Sequence, residues 1–258
     1  MADHLGFCDV PSLGSNLFGP EGAMALAKAL LDNGALTSVE LRGNKLGDEG
    51  WGAIFAVICG NNDSKIMSLD TSSENIGPAG VKLIAEALRT SVTGALTRVD
   101  VRHNKIAGDG AAQLAAAVLG NLKIEMFNEI PIKEMRADSL TVLDLKEKHF
   151  GVEGGMVVAG LIHVLGGLTA LNLSSNRLKD EGVIAVCEAI QSNKETKLAS
   201  LNMGANSLGP IGAKSVAAMV AVTGALIECD LSNHDMGEEG EASIRFAAQG
   251  KAGFILHL

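Results

Sequence analysis

The residues of this sequence that could perform chemistry are carboxylates, six histidines and four cysteines. The cysteines contain no CxxC pair and have no histidine at metal-ligand spacing, so no zinc site is expected. They are Cys8, Cys59, Cys187 and Cys229. The segment GPIGAKS (209–215) resembles a phosphate-binding loop, but Ala213 stands where that loop needs glycine. The sequence therefore predicts no catalytic residue, no metal ligand and no cofactor.

The overall charge is acidic, with 21 Lys and Arg against 30 Asp and Glu and a formal net charge of −9. Because no basic run offsets this balance, we expect neither nucleic acid nor an anionic membrane surface as a partner.

Residues 1–10 lack the basic and apolar regions of a signal peptide, and scattered cysteines in a chain of this length are typical of reduced, intracellular proteins. The uncharged stretch 154–171 is broken by Gly166 and Gly167, so we expect a helix, a turn and a strand rather than a membrane span. A cytoplasmic location is expected.

Segments of similar sequence recur along the whole chain. They begin at residues 8, 36, 66, 96, 140, 168, 198 and 226, so consecutive starts are 28, 30, 30, 44, 28, 30 and 28 residues apart. The shared pattern is L-x-x-L-x-L-x-x-N-x-L with a glycine four residues further on, as in LTALNLSSNRLKDEG (168–182). One such unit cannot bury its apolar faces alone, whereas a stack of units can. The sequence therefore predicts a repeat protein.

Each repeat predicts a short strand, a turn and a helix. Leu171 and Leu173 fall on one side of a strand because side chains alternate along it. After the repeat glycine, Val81, Ile84 and Leu88 fall on one side of a helix. Parallel strands stack about 4.8 Å apart, whereas packed helices need roughly 10 Å. The stack is therefore expected to bend, with its strands on the inside.

A polar column is expected to hold neighbouring repeats together. At the turn after each strand, a buried amide side chain can satisfy backbone groups that the turn leaves unpaired, and stacked copies form a ladder. The predicted ladder consists of Asn16, Asn44, Asn104, Asn176 and Asn206. Glu74, Lys148 and His234 replace asparagine in this column, which puts the continuity of the ladder in question at those positions.

These motifs resemble the ribonuclease-inhibitor type of leucine-rich repeat, a family that includes ribonuclease inhibitors, the Ran GTPase-activating protein and the sensor regions of NOD-like receptors. The resemblance covers nearly the whole chain. It implies an α/β solenoid shaped as a curved horseshoe, with parallel strands on the concave side and helices on the convex side. It also implies a non-catalytic protein–protein interaction scaffold, or an assembly subunit, that binds a protein partner on the concave face. Two alternatives are a regulator of a small GTPase and an innate-sensor-like repeat module.

We expect one domain, 1–258, with atypical repeats at three places. Its divisions are a degenerate N-terminal capping repeat (1–35), regular repeats (36–121), a truncated irregular repeat (122–139), regular repeats (140–241) and a C-terminal cap (242–258). In the irregular repeat, Leu122, Ile124 and Met126 alternate like a strand, and the segment is too short for a full helix. It is either a structural irregularity or a docking segment whose charged residues contact a partner. Those residues are Glu125, Glu129, Lys133, Glu134, Arg136 and Asp138.

Side chains that flank the strand leucines are expected to face the concave side, and many of them are charged. One interpretation is that the recurring Asp and Asn residues are repeat consensus, placed for solubility and local hydrogen bonds. The other is a polar partner-binding patch that uses charge to set register and association rate. This predicted patch comprises Glu40, Arg42, Asp70, Arg98, Asp100, Arg102, His103, Asp144 and Lys146.

Overall fold

The computed structural model describes residues 13–91 and 94–258, in which helices alternate with short strands. Its elements are α1 (Gly19–Leu31), α2 (Gly47–Gly60), β1 (Ser68–Asp70), α3 (Pro78–Thr90), β2 (Arg98–Asp100), α4 (Gly108–Gly120), β3 (Met126–Phe127), α5 (Ile132–Arg136), β4 (Val142–Asp144), α6 (Gly151–Ile162), β5 (Ala170–Asn172), α7 (Lys179–Ser192), β6 (Ser200–Asn202), α8 (Pro210–Val222), β7 (Glu228–Asp230), α9 (Gly237–Ala248) and β8 (Ile255–His257). The first twelve residues of the predicted capping repeat 1–35, Cys8 among them, lie outside the described residues.

The chain forms two compact units, Met1–Lys105 and Ile106–Leu258, called here the N-terminal and the C-terminal unit. In the N-terminal unit, β1 and β2 pair in parallel, with Leu69 opposite Val99. In the C-terminal unit, strands β4 to β8 form a parallel sheet in sequence order. Its register places one apolar column in line: Leu143, Leu171, Leu201, Cys229 and Leu256. Within each unit, the predicted α/β repeat architecture is confirmed.

The apolar positions of the repeat form the core. Leu171, Leu173 and Leu178 are each 2% exposed or less, as the alternation predicts. Trp51, the single tryptophan of the chain, is fully buried on α2. It therefore packs inside the N-terminal unit and offers no surface for a partner. The stretch 154–171 divides into part of α6, a turn and the start of β5, as predicted. Within residues 13–91 and 94–258, none of the helices has the length and apolar character needed to cross a membrane.

Helices α3 and α8 begin after glycine N-caps, which have no side chain to form a capping hydrogen bond, and each N-cap bonds an acceptor of the preceding repeat. The backbone N–H of Gly77, which precedes α3, donates to Oδ1 of Asp48 in the first turn of α2 at 2.7 Å. Gly209, which precedes α8, donates to Oδ1 of Asp180 in the first turn of α7 at the same distance. In both cases a carboxylate satisfies a backbone donor at the positive end of the next helix.

The irregular repeat contains a tight turn that its sequence did not reveal. Phe127 and Ile130 exchange backbone hydrogen bonds of 3.2 and 2.8 Å across Asn128 and Glu129, which both have positive φ. The predicted alternation is wrong at Leu122, whose side chain is 81% exposed. The reason is that Leu122 lies in a turn, closed by the bond from the N–H of Ile124 to the carbonyl of Asn121 at 3.2 Å, and the strand begins only at Met126. The five-residue helix α5 follows, as the short spacing predicts.

Arg136, at the end of α5, is bonded within the C-terminal unit. Its guanidinium donates to the carbonyl oxygens of Ile124 at 2.9 Å and Leu119 at 3.0 Å. Two further carbonyls, those of Asn121 and Val118, lie at 3.3 and 3.4 Å. Burial lowers the pKa of Arg136. These contacts favour the structural interpretation of the irregular repeat over the docking interpretation, at least for this side chain.

The C-terminal segment 242–258 completes α9 and then adds one more strand. β8 pairs in parallel with β7, in the register that the preceding repeats use. Leu256 occupies the leucine position of that strand but is only half-buried, and Ile255 is 53% exposed. The predicted cap thus takes the form of a further strand that covers the edge of β7.

Candidate partner-binding face

Asparagine side chains link successive repeats of the C-terminal unit. Asn176 is fully buried; its Nδ2 donates to the carbonyls of Leu145 at 2.8 Å and Leu173 at 2.9 Å. Asn206, also fully buried, donates from Nδ2 to the carbonyls of Leu173 and Met203 at 2.9 and 2.8 Å. Each amide thus bonds the strand end of its own repeat and that of the preceding one.

The acceptor ends of these amides continue the connection. Oδ1 of Asn206 accepts the backbone N–H of Asn176 at 2.9 Å, and Oδ1 of Asn176 accepts that of His149 at 2.8 Å. Both ends of each side chain are therefore used, so a buried amide leaves no polar group unsatisfied.

In the N-terminal unit the asparagines differ in burial. Asn44 is fully buried, donates to the carbonyls of Leu13 and Leu41 at 2.7 Å each, and accepts the N–H of Asn16 at 2.9 Å. Asn104 is half-buried and makes equivalent bonds to Thr71, Val101 and Ile76. Asn16 is exposed, and its Nδ2 donates to the carbonyls of Leu13 and Gly14 in its own repeat.

The three replacements in this column behave differently from one another. Glu74 accepts the N–H of Gly43 at 2.6 Å, and Lys148 donates to Glu129 at 2.8 Å. A carboxylate has no donor and an ammonium group has no acceptor, so neither side chain can reproduce the pattern of asparagine. His234 does reproduce it: Nδ1 lies 3.4 Å from the backbone nitrogen of Asn206, and Nε2 lies 3.0 Å from the carbonyl of Met203. The ladder, whose continuity the sequence left in question here, therefore continues at His234, because a neutral imidazole also carries one donor and one acceptor.

The recurring Asp and Asn residues of the strands bond locally. Oδ1 of Asp70 accepts the N–H of Ser72 at 2.8 Å, and Oδ1 of Asp100 and of Asp144 accepts the N–H two residues further on at 3.0 Å. The same bond recurs in the C-terminal unit at Asn172, Asn202 and Asp230. An acceptor at this position holds the turn after the strand. This geometry supports the repeat-consensus interpretation for these carboxylates.

The three arginines of the predicted patch differ in how they are bonded. Arg102 forms an ion pair with Asp100: its Nη2 lies 2.6 Å from Oδ2, and its Nε lies 3.0 Å from both carboxylate oxygens. The side chain of Arg102 is 19% exposed. Arg42 is 47% exposed and lies 3.6 Å from Oδ2 of Asp70. Arg98 is exposed on β2, and its guanidinium makes no hydrogen bond or ion pair to the residues that the structure describes. Of these three arginines, Arg98 is therefore the one most available to a partner.

The remaining predicted patch residues are exposed. In the N-terminal unit, Glu40 and Arg42 line an open depression of about 290 Å³ together with Glu74. His103 lies in the turn after β2, with a φ of 61°. In the C-terminal unit, Asp144 ends β4, and Lys146 follows it, 3.3 Å from Glu147. Each unit thus presents charged side chains at its strand ends.

The described cysteines offer no reactive thiol. Cys59, Cys187 and Cys229 are buried and unpaired. Burial raises the pKa of Cys59 to about 11 and that of Cys229 to about 12, and it also raises the pKa of Cys187. A thiol must ionise to act as a nucleophile or a metal ligand, so these three side chains pack as small apolar groups. In the described part of the chain, there is also no group of three or more side chains suited to hold a metal ion.

Comparison with known proteins identifies the repeats. The family model described as "Leucine Rich repeat" matches residues 35–55, 96–115 and 168–187. The chain is 26% identical over 245 residues to NACHT, LRR and PYD domains-containing protein 12 of Mus musculus, which covers 87% of this chain and 22% of that protein. It is 25% identical over 219 residues to the ribonuclease inhibitor of Mus musculus, covering 85% of this chain and 44% of the inhibitor.

A third relative matches a shorter part. RAN GTPase-activating protein 2 of Arabidopsis thaliana is 29% identical over 104 residues, which is 40% of this chain and 19% of that protein. The chain thus spans less than half the length of each of these three relatives. Three segments of the chain thus match the leucine-rich-repeat family model, and 85% of the chain is similar in sequence to the ribonuclease inhibitor.

Proposed function

We propose that this chain is a non-catalytic interaction scaffold that binds a protein partner through its strand face. The strand face is defined here as the outward-pointing side chains of the strands and of the turns that follow them. The observation that carries the proposal is the exposed guanidinium of Arg98, which has no bonding partner among the described residues, although its neighbour Arg102 is fully engaged by Asp100. A cation kept exposed and unpaired contributes little to folding, so a role in recognition accounts for it better.

The predicted patch divides accordingly. Arg98, Arg42 and Glu40 in the N-terminal unit, and Asp144 and Lys146 in the C-terminal unit, are the proposed contacts. Asp70, Asp100 and Arg102 form the turns beneath them, and His103 borders the patch. When a partner binds charged side chains of this kind, the charges fix its register and speed its association. Affinity then requires additional contacts from the partner, because the face has no tryptophan or tyrosine to act as an anchor.

Further parts of the proposal concern chemistry and location. The carboxylates along the strands are occupied by local turns, and the described thiols are buried with raised pKa values, which supports a binding role rather than catalysis. The free, buried cysteines support a reducing, cytoplasmic environment. The net charge of −9 supports a protein partner rather than nucleic acid. The same strand face could also hold this chain in a larger complex as an assembly subunit.

The test is affinity purification followed by mass spectrometry, with wild-type chain and the variant Arg98→Glu as baits. We expect proteins bound by the wild type to be lost or strongly reduced with Arg98→Glu. The matched control is Lys82→Glu, which makes the same charge change at an exposed position on α3. Partners that are captured equally by all three baits would refute the strand-face assignment in the N-terminal unit. Lys146→Glu tests the C-terminal unit in the same way.

A second candidate function is regulation of a small GTPase. It is favoured by the similarity to RAN GTPase-activating protein 2 over 104 residues. The discriminating measurement is GTP hydrolysis by a panel of small GTPases with and without the purified chain. Acceleration of hydrolysis that Arg98→Glu abolishes would support this candidate, whereas unchanged rates across the panel would exclude it for those GTPases. The similarity to NACHT, LRR and PYD domains-containing protein 12 likewise keeps an innate-sensor-like module as an alternative.

A further inference from the structure

The end of the asparagine ladder in the C-terminal unit is an imidazole. Nδ1 of His234 lies 3.4 Å from the backbone nitrogen of Asn206 and 3.2 Å from that of Leu208. Nε2 lies 3.0 Å from the carbonyl oxygen of Met203. Asn206 uses the same pattern toward the preceding repeat, where its Oδ1 accepts the N–H groups of Asn176 and Leu178 at 2.9 and 3.3 Å.

These partners determine the protonation state of the ring. A backbone N–H can only donate, so Nδ1 must carry a lone pair. A carbonyl oxygen can only accept, so Nε2 must carry the proton. The neutral Nε2–H tautomer meets both demands. A second proton, on Nδ1, would place an N–H donor against the two backbone N–H donors. Those two backbone groups would then have no acceptor.

We infer that His234 makes the junction between the last two turns of the ladder sensitive to protonation. Asparagine at this position cannot take up a proton in the physiological range, whereas histidine can. Acid therefore weakens the bonds that the backbone N–H groups of Asn206 and Leu208 donate to His234, while the side-chain bonds of Asn206 and Asn176 persist. The segment attached by those bonds, the turn after β7 and the start of α9, loosens from the preceding repeat.

Burial and the surroundings of His234 act in opposing directions. The bond to Met203 and the charge of Asp230, on β7, favour the protonated ring, and Asp235 lines an open groove together with His234. Asp180, on α7, accepts the N–H of Gly209, which lines that groove. Burial outweighs these effects, so the pKa of His234 is lower than its usual value of 6.5. The neutral form is thus the one that the folded chain prefers.

The sign of the pH dependence follows. Because the pKa of His234 is lower in the folded chain than in the unfolded chain, the unfolded chain binds more protons as the pH falls below about 6.5. Stability from this site is complete above that pH. This contribution to stability is lost progressively as the pH falls from 6.5 to the lowered pKa of His234 in the folded chain. Below that pKa, the loss does not increase further.

The test compares the thermal midpoint of wild type with that of His234→Asn between pH 7.5 and pH 5.0. His234→Asn installs the ladder residue of the other repeats. We expect the midpoint of the wild type to fall by about 2–4 °C more than that of His234→Asn over this range. The control His163→Asn, at an exposed histidine after α6, should follow the wild type. Equal losses in wild type and His234→Asn would overturn the inference.

A second measurement keeps the test decisive where His234→Asn fails to fold. In an NMR titration of the wild type, the ring of His234 should be the Nε2–H tautomer at pH 7.5. The amide signals of Asn206 and Leu208 should move with the same midpoint as the ring, below pH 6.5. A ring found as the Nδ1–H tautomer, or amide signals that ignore its titration, would overturn the inference.

Discussion

The carboxylate of Asp180, in the first turn of α7, accepts the backbone N–H of Gly209 at the start of α8 at 2.7 Å. Asp48 and Gly77 repeat this relationship between α2 and α3. We predict that Asp180→Ala or Asp48→Ala lowers the free energy of unfolding by about 0.5–2 kcal/mol, the usual effect of losing an acceptor at a helix start. Urea denaturation measures the change.

Asp109 is the matched control for this prediction. It occupies the equivalent position in the first turn of α4, but its carboxylate accepts no hydrogen bond from the residues that the structure describes. Asp109→Ala should therefore change stability by no more than about 0.5 kcal/mol. If Asp109→Ala costs as much as Asp180→Ala, the effect comes from general helix-dipole charge and not from the bond to the next helix.

The asparagine ladder gives a second prediction. Asn176→Leu or Asn206→Leu should destabilise the chain by about 1–3 kcal/mol, because several buried backbone groups lose their partners. The exposed Asn16 bonds only carbonyls of its own repeat through Nδ2, so Asn16→Leu should cost less. Denaturant midpoints for the three variants, measured side by side, check this order. Wild-type stability in either buried variant would contradict the ladder role.

Arg136 gives a third prediction. Arg136→Lys keeps the charge but cannot reach the four carbonyls that the guanidinium approaches. We expect a loss of about 1–3 kcal/mol in the free energy of unfolding. Arg89→Lys, at an exposed ion pair with Glu86 on α3, serves as control and should change stability by less than about 0.5 kcal/mol. Equal stability of Arg136→Lys and wild type would show that water replaces the arginine at these carbonyls.

The two arginines of β2 and its turn give a fourth prediction. Arg102→Ala should lower the thermal midpoint, because Asp100 loses its bidentate partner, whereas Arg98→Ala should leave the midpoint within about 1 °C of wild type. Differential scanning calorimetry distinguishes them. A similar loss in both variants would mean that Arg98 contributes to folding, which would remove the main support for its role in recognition.

Sequence reasoning reached the repeat architecture because its signals are local. Period-two alternation at Leu171 and Leu173 and the helical spacing of Val81, Ile84 and Leu88 follow from backbone geometry alone. Sequence reasoning missed the turn at Asn128 and Glu129, because neither residue favours a positive φ as strongly as glycine does.

The site was predicted less fully, because hydrogen-bond partners depend on geometry. Arg98 and Arg102 look alike in the sequence, and only the structure shows that Arg102 turns back onto Asp100. The sequence left the continuity of the ladder in question at His234, because the residue type differs from asparagine. Counting donors and acceptors would have identified it as a replacement for asparagine. The bond from Asp48 to Gly77 had a sequence signal, a D-E-G motif followed one repeat later by G-P.

The short helix α5 also affects how the C-terminal unit unfolds. Because α5 has five residues, α4 contacts α6 directly, and α6 contacts α7 in turn. In a stack whose members stabilise only their immediate neighbours, cooperativity passes from one helix to the next across each contact. The α4–α6 contact closes the gap that the missing helical turns would otherwise leave, so we expect one unfolding transition across this unit rather than a break at the irregular repeat.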